Sequence, residues 1–234
     1  RYALTREARR ARAPTPRERD WLETVEVLYG DGSKARRDTL YLRAVEQLAD
    51  RYPDDVEGQA FLSLAWLGLN QGVRSIPDYM RAGAIALRDH PGAAHYVIHA
   101  FDDPEHAPLG LPAAHAYSRI APDAPHAQHM TTHIFLALGM WEENVTQNRV
   151  AVGSQPWTAG HYSWWWHYGL TQLGRVREAT ALRDSMRVLA GDRVTFVLQT
   201  VEAHHAIELD RWDDAVFDRP APDAVSPGAR LRWI

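Results

Sequence analysis

Two stretches 35 residues apart constrain this chain more than any other feature of it. QLGRVREA (Gln172 to Ala179) reads as a helix closed at Gly174 and a new one opened around Glu178-Ala179. LALGMWEEN (Leu136 to Asn144) repeats that pattern, with Trp141 as the aromatic after the turn, and GLNQGV (Gly68 to Val73) aligns with it through Gly72, 67 residues further back. The intervals approximate one and two repeats of about 34 residues. A helix pair of that size cannot bury its apolar side alone, so the expected architecture is all-α, stacked antiparallel helix pairs in an α-solenoid.

The rest of the chain agrees. Thr15-Pro16-Arg17-Glu18 combines a cap, a proline at the first helical position and a glutamate three residues on, and predicts a helix through DWLETVEVLYG. Asp31-Gly32 ends it. ARRDTLYLRAVEQLADRY is a second helix, stopped by Pro53, and Asp54 with Glu57 forms a capping-box pattern ahead of a third. Further helices are expected over 77–89, 92–101, 111–120, 125–138, 142–152, 159–173, 176–189 and 193–209, paired as hairpins. Residues 1–212 form one helical-repeat domain in this reading, and the Pro- and Asp-rich 213–234 a loosely ordered tail.

Composition narrows the function. With 26 basic against 30 acidic residues the net charge is slightly negative, and the one basic concentration, Arg6 to Arg19, reads as a solvated helix end, so nucleic acid is not the expected partner. There is no cysteine, which removes disulfides, thiolate nucleophiles and Cys-based zinc sites. The longest apolar-rich stretch, FLSLAWLGL, is far too short for a membrane span. The chain reads as soluble. It begins with Arg1 rather than Met, as a processed or truncated product does, which leaves cytoplasm and periplasm equally open.

Eight of the twelve histidines (90, 95, 99, 106, 115, 126, 129 and 133) fall within 44 residues. His95 and His99 stand at i,i+4 with Asp102 at i+7, so two imidazoles and a carboxylate share one predicted helical face. His126, His129 and His133 repeat the arrangement at i, i+3 and i+7. If the stripes faced each other they would form a ligand set for a divalent metal, zinc or copper, without any thiolate. Met130 leans slightly toward copper. A lone histidine on a half-buried face is more often a hydrogen-bonded core residue, the preferred reading for His90, His106 and His115. Tyr96 occupies the place of the glutamate in an HExxH metalloprotease, so that chemistry has little support.

In HYSWWWHYGL, His161, Trp165 and Tyr168 share a helical face with Trp164 beside them. Three consecutive tryptophans cannot all point inward, because adjacent positions diverge by about 100°. Either they are repeat-core packing, or Trp164, Trp165, Tyr168 and Tyr96 wall a ligand pocket with His161 as one more metal ligand. Phosphate loops, nucleophile elbows and Walker patterns are missing, and no residue is assigned a catalytic role.

The helix-turn-helix punctuation over about 54–190 resembles tetratricopeptide repeats. The block from His90 to Val145 further resembles a largely uncharacterised group of bacterial tetratricopeptide-repeat-like proteins with the pattern HPGAxHYxIHxxDxPxHA followed by HAxHMxSHIFxxLGxW. His90, His95, His99, Asp102 or Asp103, His106, His126, His129 and His133 match it, while Thr132 replaces the usual Ser. The resemblance implies the fold, further repeats N-terminal in some members, and a concave face able to hold a protein or peptide. It implies no reaction. Three functions stand open: a histidine-rich internal metal or small-ligand site, an interaction scaffold with structural histidines, and a metal-dependent hydrolase or oxygenase.

Overall fold

The computed structural model describes residues 6–70, 75–85, 91–153, 160–191 and 196–218. Among them are twelve α-helices and one short 3-10 helix, and no strand. The chain divides into two compact units, Arg1–Ala113 and Ala114–Ile234.

The first unit holds α1 (Arg6–Arg12), α2 (Pro16–Leu28), α3 (Lys34–Arg51), α4 (Val56–Leu69), α5 (Ile76–Ile85) and α6 (Pro91–Ala100). Each of α2 to α5 packs on the next, and α6 lies on both α4 and α5. The capping box at Thr15 is present, with the Glu18 amide donating to Thr15 Oγ1 and the Glu18 carboxylate accepting from the Thr15 amide. The box expected at Asp54 is not. The N-cap of α4 is Asp55, whose carboxylate accepts two hydrogen bonds from Arg17 at 2.6 and 2.8 Å. A bidentate ion pair outcompetes a neutral cap bond for the same oxygens.

α7 (Ala107–Ile120) bridges the boundary between the units and begins four residues before its expected start. Asp103 explains the early start: its carboxylate accepts from the amides of Glu105 and His106, which sets the turn into the helix.

The second unit continues with α8 (Pro125–Ala137), α9 (Trp141–Gly153), α10 (His161–Gln172), α11 (Val176–Ala190), α12 (Phe196–Glu208) and η1 (Ala215–Asp218). α8 packs on α9, α9 on α10, and α10 on both α11 and α12. Gly139 and Gly174, both at left-handed φ, close α8 and α10 through matching hydrogen bonds: Met140 N to Phe135 O and Gly139 N to Leu136 O, then Arg175 N to Leu170 O and Gly174 N to Thr171 O. A third copy, not found in the sequence reading, follows at Asp210 (φ 56), with Arg211 N on Ala206 O and Asp210 N on Ile207 O. The turns are thus spaced by 35 and 36 residues, and RWDD at 211–214 echoes MWEE at 140–143. Aspartate hid the copy, although it tolerates the left-handed region better than most residues. Gly72 lies outside the described residues, as do His90 and most of the expected tail; residues 215–218 end in η1 on α12, with Val216 buried.

The core of this unit comprises Val145, Leu170, Ala179, Leu182, Met186, Ala190, Leu198 and Val201, with Trp164 and Trp166 packed against it. Gly169 lets α10 approach α9: a Cβ there would lie 2.7 Å from Asn144 Oδ1 and 2.8 Å from Val145 Cγ2.

Candidate histidine and aromatic site

His129 is the centre of the site. It lies in the middle of α8, fully buried, in a run of buried residues from Ala127 to Thr132. Its Nδ1 makes a 2.8 Å hydrogen bond to Asn148 Oδ1 on α9. The Asn148 amide nitrogen in turn donates to the Asn144 carbonyl at 3.2 Å, so Oδ1 faces His129 as an acceptor. This assigns the tautomer: the proton sits on Nδ1, and Nε2 carries a lone pair. That Nε2 is buried and has no hydrogen-bond partner.

Side chains of α8 and α10 build the surroundings. His133, one turn along α8, lies 5.1 Å from His129 between ring centroids, and His161 at the start of α10 lies 4.5 Å away. Tyr162 stacks on His129 at 3.9 Å and 22°, while Trp165 closes the other side at 5.0 Å from His129 and 4.5 Å from His133. His126, at the more exposed edge, hydrogen-bonds the Tyr162 hydroxyl at 3.0 Å. Thr132 donates to the His129 carbonyl at 2.6 Å.

Burial dominates the electrostatics. Desolvation pushes the His129 imidazole down to about 2, against the opposing Asn148 bond and helped by His133, His161 and His126. The same cause, with the His133 imidazole next, holds His126 and His161 below the usual range, and burial raises the Tyr162 phenol. His129 is therefore neutral, as a metal ligand must be. Two imidazoles on one ion at about 2.1 Å keep their centroids about 5 Å apart. The spacing of His129 from His133 and His161 fits that requirement. Among the described residues, however, no group of three His, Asp or Glu side chains is placed to hold a metal ion.

The other predicted residues are described within their own units. His95 and His99 belong to the first unit, half-buried, with ring centroids 4.8 Å apart and Tyr96 stacked on His95. Asp102 does not extend their stripe, because α6 ends at Ala100 and the chain turns before Asp103-Pro104; a residue preceding proline disfavours the helical region. His106 is held by the Asp103 carboxylate at 2.9 Å, and His115 packs on Phe135.

The tryptophan run separates by side. Trp166 packs on the core, Trp164 shares that packing, and Trp165 turns to the histidines. Trp164, Trp165 and Tyr168 also line a pocket of about 210 Å³ with Leu136 and His204. His204 was given no role in the sequence reading, nor was the buried pair His167 and His205, whose Nε2 and Nδ1 lie 3.0 Å apart. Neither of these contacts has a sequence signal, since each joins α10 to α12 across about 40 residues.

No protein-family model matches the sequence, and no curated protein matches it. Solved structures do. MamA from Desulfovibrio magneticus RS-1, residues 41 to the end, superposes with a TM-score of 0.61 at 15% identity over 78% of this chain and 99% of that one. A MamA RS-1 double mutant gives 0.60 at 16% identity over 76% and 96%. MamA is a tetratricopeptide-repeat-like solenoid. This chain has a tetratricopeptide-repeat-like fold. At such identity the likeness concerns the fold alone, and it agrees with the three evenly spaced hairpin turns of the second unit. Within this tetratricopeptide-repeat-like fold the histidine cluster is built from the first helices of two successive hairpins, α8 and α10. None of the described helices is long and apolar enough to cross a membrane.

Proposed function

We propose that this protein is a helical-repeat scaffold whose second unit carries an internal metal site, with zinc or copper bound by His129, His133 and His161. The observation that carries the reading is the His129 Nε2: fully buried, unprotonated and unpartnered, with its ring fixed from behind by Asn148. Such an atom costs about 1–3 kcal/mol unless something satisfies it. A transition metal supplies that partner, and Asn148 serves as the carbonyl group that orients a ligating imidazole. His126 and Tyr162 border the site on the solvent side. His95 and His99 supply two imidazoles in the first unit, too few to hold zinc by themselves.

The second reading is an interaction scaffold, binding a protein or peptide, in which the histidines are structural. The edge-to-face packing of His129 on His133 and His161 favours it, as does the likeness in fold to MamA. A hydrolase or oxygenase would further need an open coordination position beside a cavity.

Calorimetric titration of untagged protein with zinc and with copper separates these readings. One equivalent bound by the parent and by His95→Ala, with at least tenfold weaker binding by His133→Ala and His161→Ala, is the expected result. No binding, or equal binding by all four proteins, would leave the histidines structural.

A further inference from the structure

The pocket formed by Leu136, Trp164, Trp165, Tyr168 and His204 lies outside the metal ligand set, and four of its five lining residues carry aromatic rings. Its volume of about 210 Å³ is below that of pockets for drug-sized molecules, about 300–1,000 Å³, so it suits a head group or one side chain. The rings are held by their neighbours. The Trp164 indole N–H donates to His204 Nδ1 at 3.0 Å, and His204 meets Trp164 edge-on at 5.3 Å and Tyr168 at 6.2 Å. Trp141 braces Tyr168 at 89°. A pocket whose walls are already ordered loses little entropy when it binds.

We propose that this pocket binds a methylated ammonium group, as in a choline-like head group or a trimethylated amine. Trp164, Trp165 and Tyr168 supply three aromatic π systems to the lining, and such systems attract a cation. No Asp or Glu is among the lining residues, so nothing replaces the water a primary ammonium would lose, whereas a methylated cation sheds its hydration cheaply. Because its Nδ1 accepts the indole proton, His204 is in its neutral form and adds no opposing charge. Glu208, one turn further along α12 and hydrogen-bonded to Gln172, biases the potential at His204 toward negative. An anion would meet the electron-rich ring faces.

The pocket shares Trp165 with the surroundings of the metal site but none of its ligands, and the test varies only residues outside that site. Binding of choline, of tetramethylammonium and of 3,3-dimethyl-1-butanol, the uncharged isostere of choline, is followed by tryptophan fluorescence and ligand-observed NMR. Both cations should bind, choline at least about tenfold tighter than the alcohol. Leu136→Trp, which fills the pocket, and Tyr168→Leu, which removes one ring, should each weaken choline about tenfold or more, with helical circular dichroism and zinc titration unchanged. Equal affinity for choline and the alcohol would reduce the site to an apolar hole and overturn the proposal. So would the absence of binding to the parent, or choline binding unaffected in the filled variant.

Discussion

His129 and Asn148 meet inside the α8–α9 hairpin through a 2.8 Å hydrogen bond, both side chains wholly removed from solvent. Asn148→Ala leaves the His129 Nδ1–H without an acceptor in a site water does not reach. A loss of about 1–3 kcal/mol is expected, which for a chain of this size lowers the melting temperature by about 2–4 °C per kcal/mol. His129→Phe combined with Asn148→Ala should recover part of that loss, because it removes the orphaned donor. Thermal melts of the two single variants and the double variant measure the coupling, and strictly additive losses would contradict a shared bond.

Acid should destabilise the protein before its carboxylates titrate. Burial pushes His129 to about 2 and His167 to about 3, in the latter case aided by the neighbouring His205, His204 and Arg183. In the unfolded chain both return to about 6.5. Between those values the unfolded state binds more protons than the folded one, so stability is complete above about pH 6.5 and falls as the pH drops toward 3. Near pH 5 each group contributes about 2 kcal/mol of destabilisation. Urea unfolding of the parent and of His167→Phe across this range is the check. An identical pH slope in the two proteins would contradict the assignment for His167.

The approach of α10 to α9 depends on the missing side chain at Gly169. Gly169→Ala puts a methyl group into the Asn144 side chain and Val145, and an overpacking loss of about 1–3 kcal/mol is expected. Gly68→Ala provides the control. Nothing lies within 4 Å of its added Cβ, and alanine in the last turn of α4 should stabilise, by less than the about 0.5–1 kcal/mol of a mid-helix position. Denaturant midpoints that move in opposite directions support both statements.

The three hairpin turns allow an exchange. Gly174 and Asp210 occupy equivalent left-handed positions, at φ 68 and 56. Gly174→Asp should cost about 1 kcal/mol by the steric argument. Asp210→Gly should gain less than the same amount, because it also removes the acceptor of the Trp212 indole N–H. Midpoints from urea titration compare the two directly, and a stabilising Gly174→Asp would refute the equivalence.

Most of the helical architecture was legible in the chain because helix ends carry local chemistry. Thr15-Pro16-Arg17-Glu18, Pro125 and the glycines at 139 and 174 act within one turn of themselves, and the observed helices follow them. Failures occurred where a distant residue competed. The cap expected at Asp54 falls one residue later, at Asp55, which pairs with Arg17 38 residues away. The Asp102 extrapolation failed for a local reason that was readable: the proline two residues on.

The candidate site divides in the same way. Sequence spacing alone placed His129 and His133 on one face of α8, and His161, Trp165 and Tyr168 on one face of α10, since helical periodicity is a property of the backbone. It could not say which imidazole is buried, which nitrogen carries the proton, or that Trp164 meets His204 across 40 residues. Those are consequences of packing α9, α10 and α12 together. Desolvation and hydrogen-bond partners exist only once the helices are stacked, so the tertiary structure alone turned a run of histidines into one buried neutral imidazole held by Asn148.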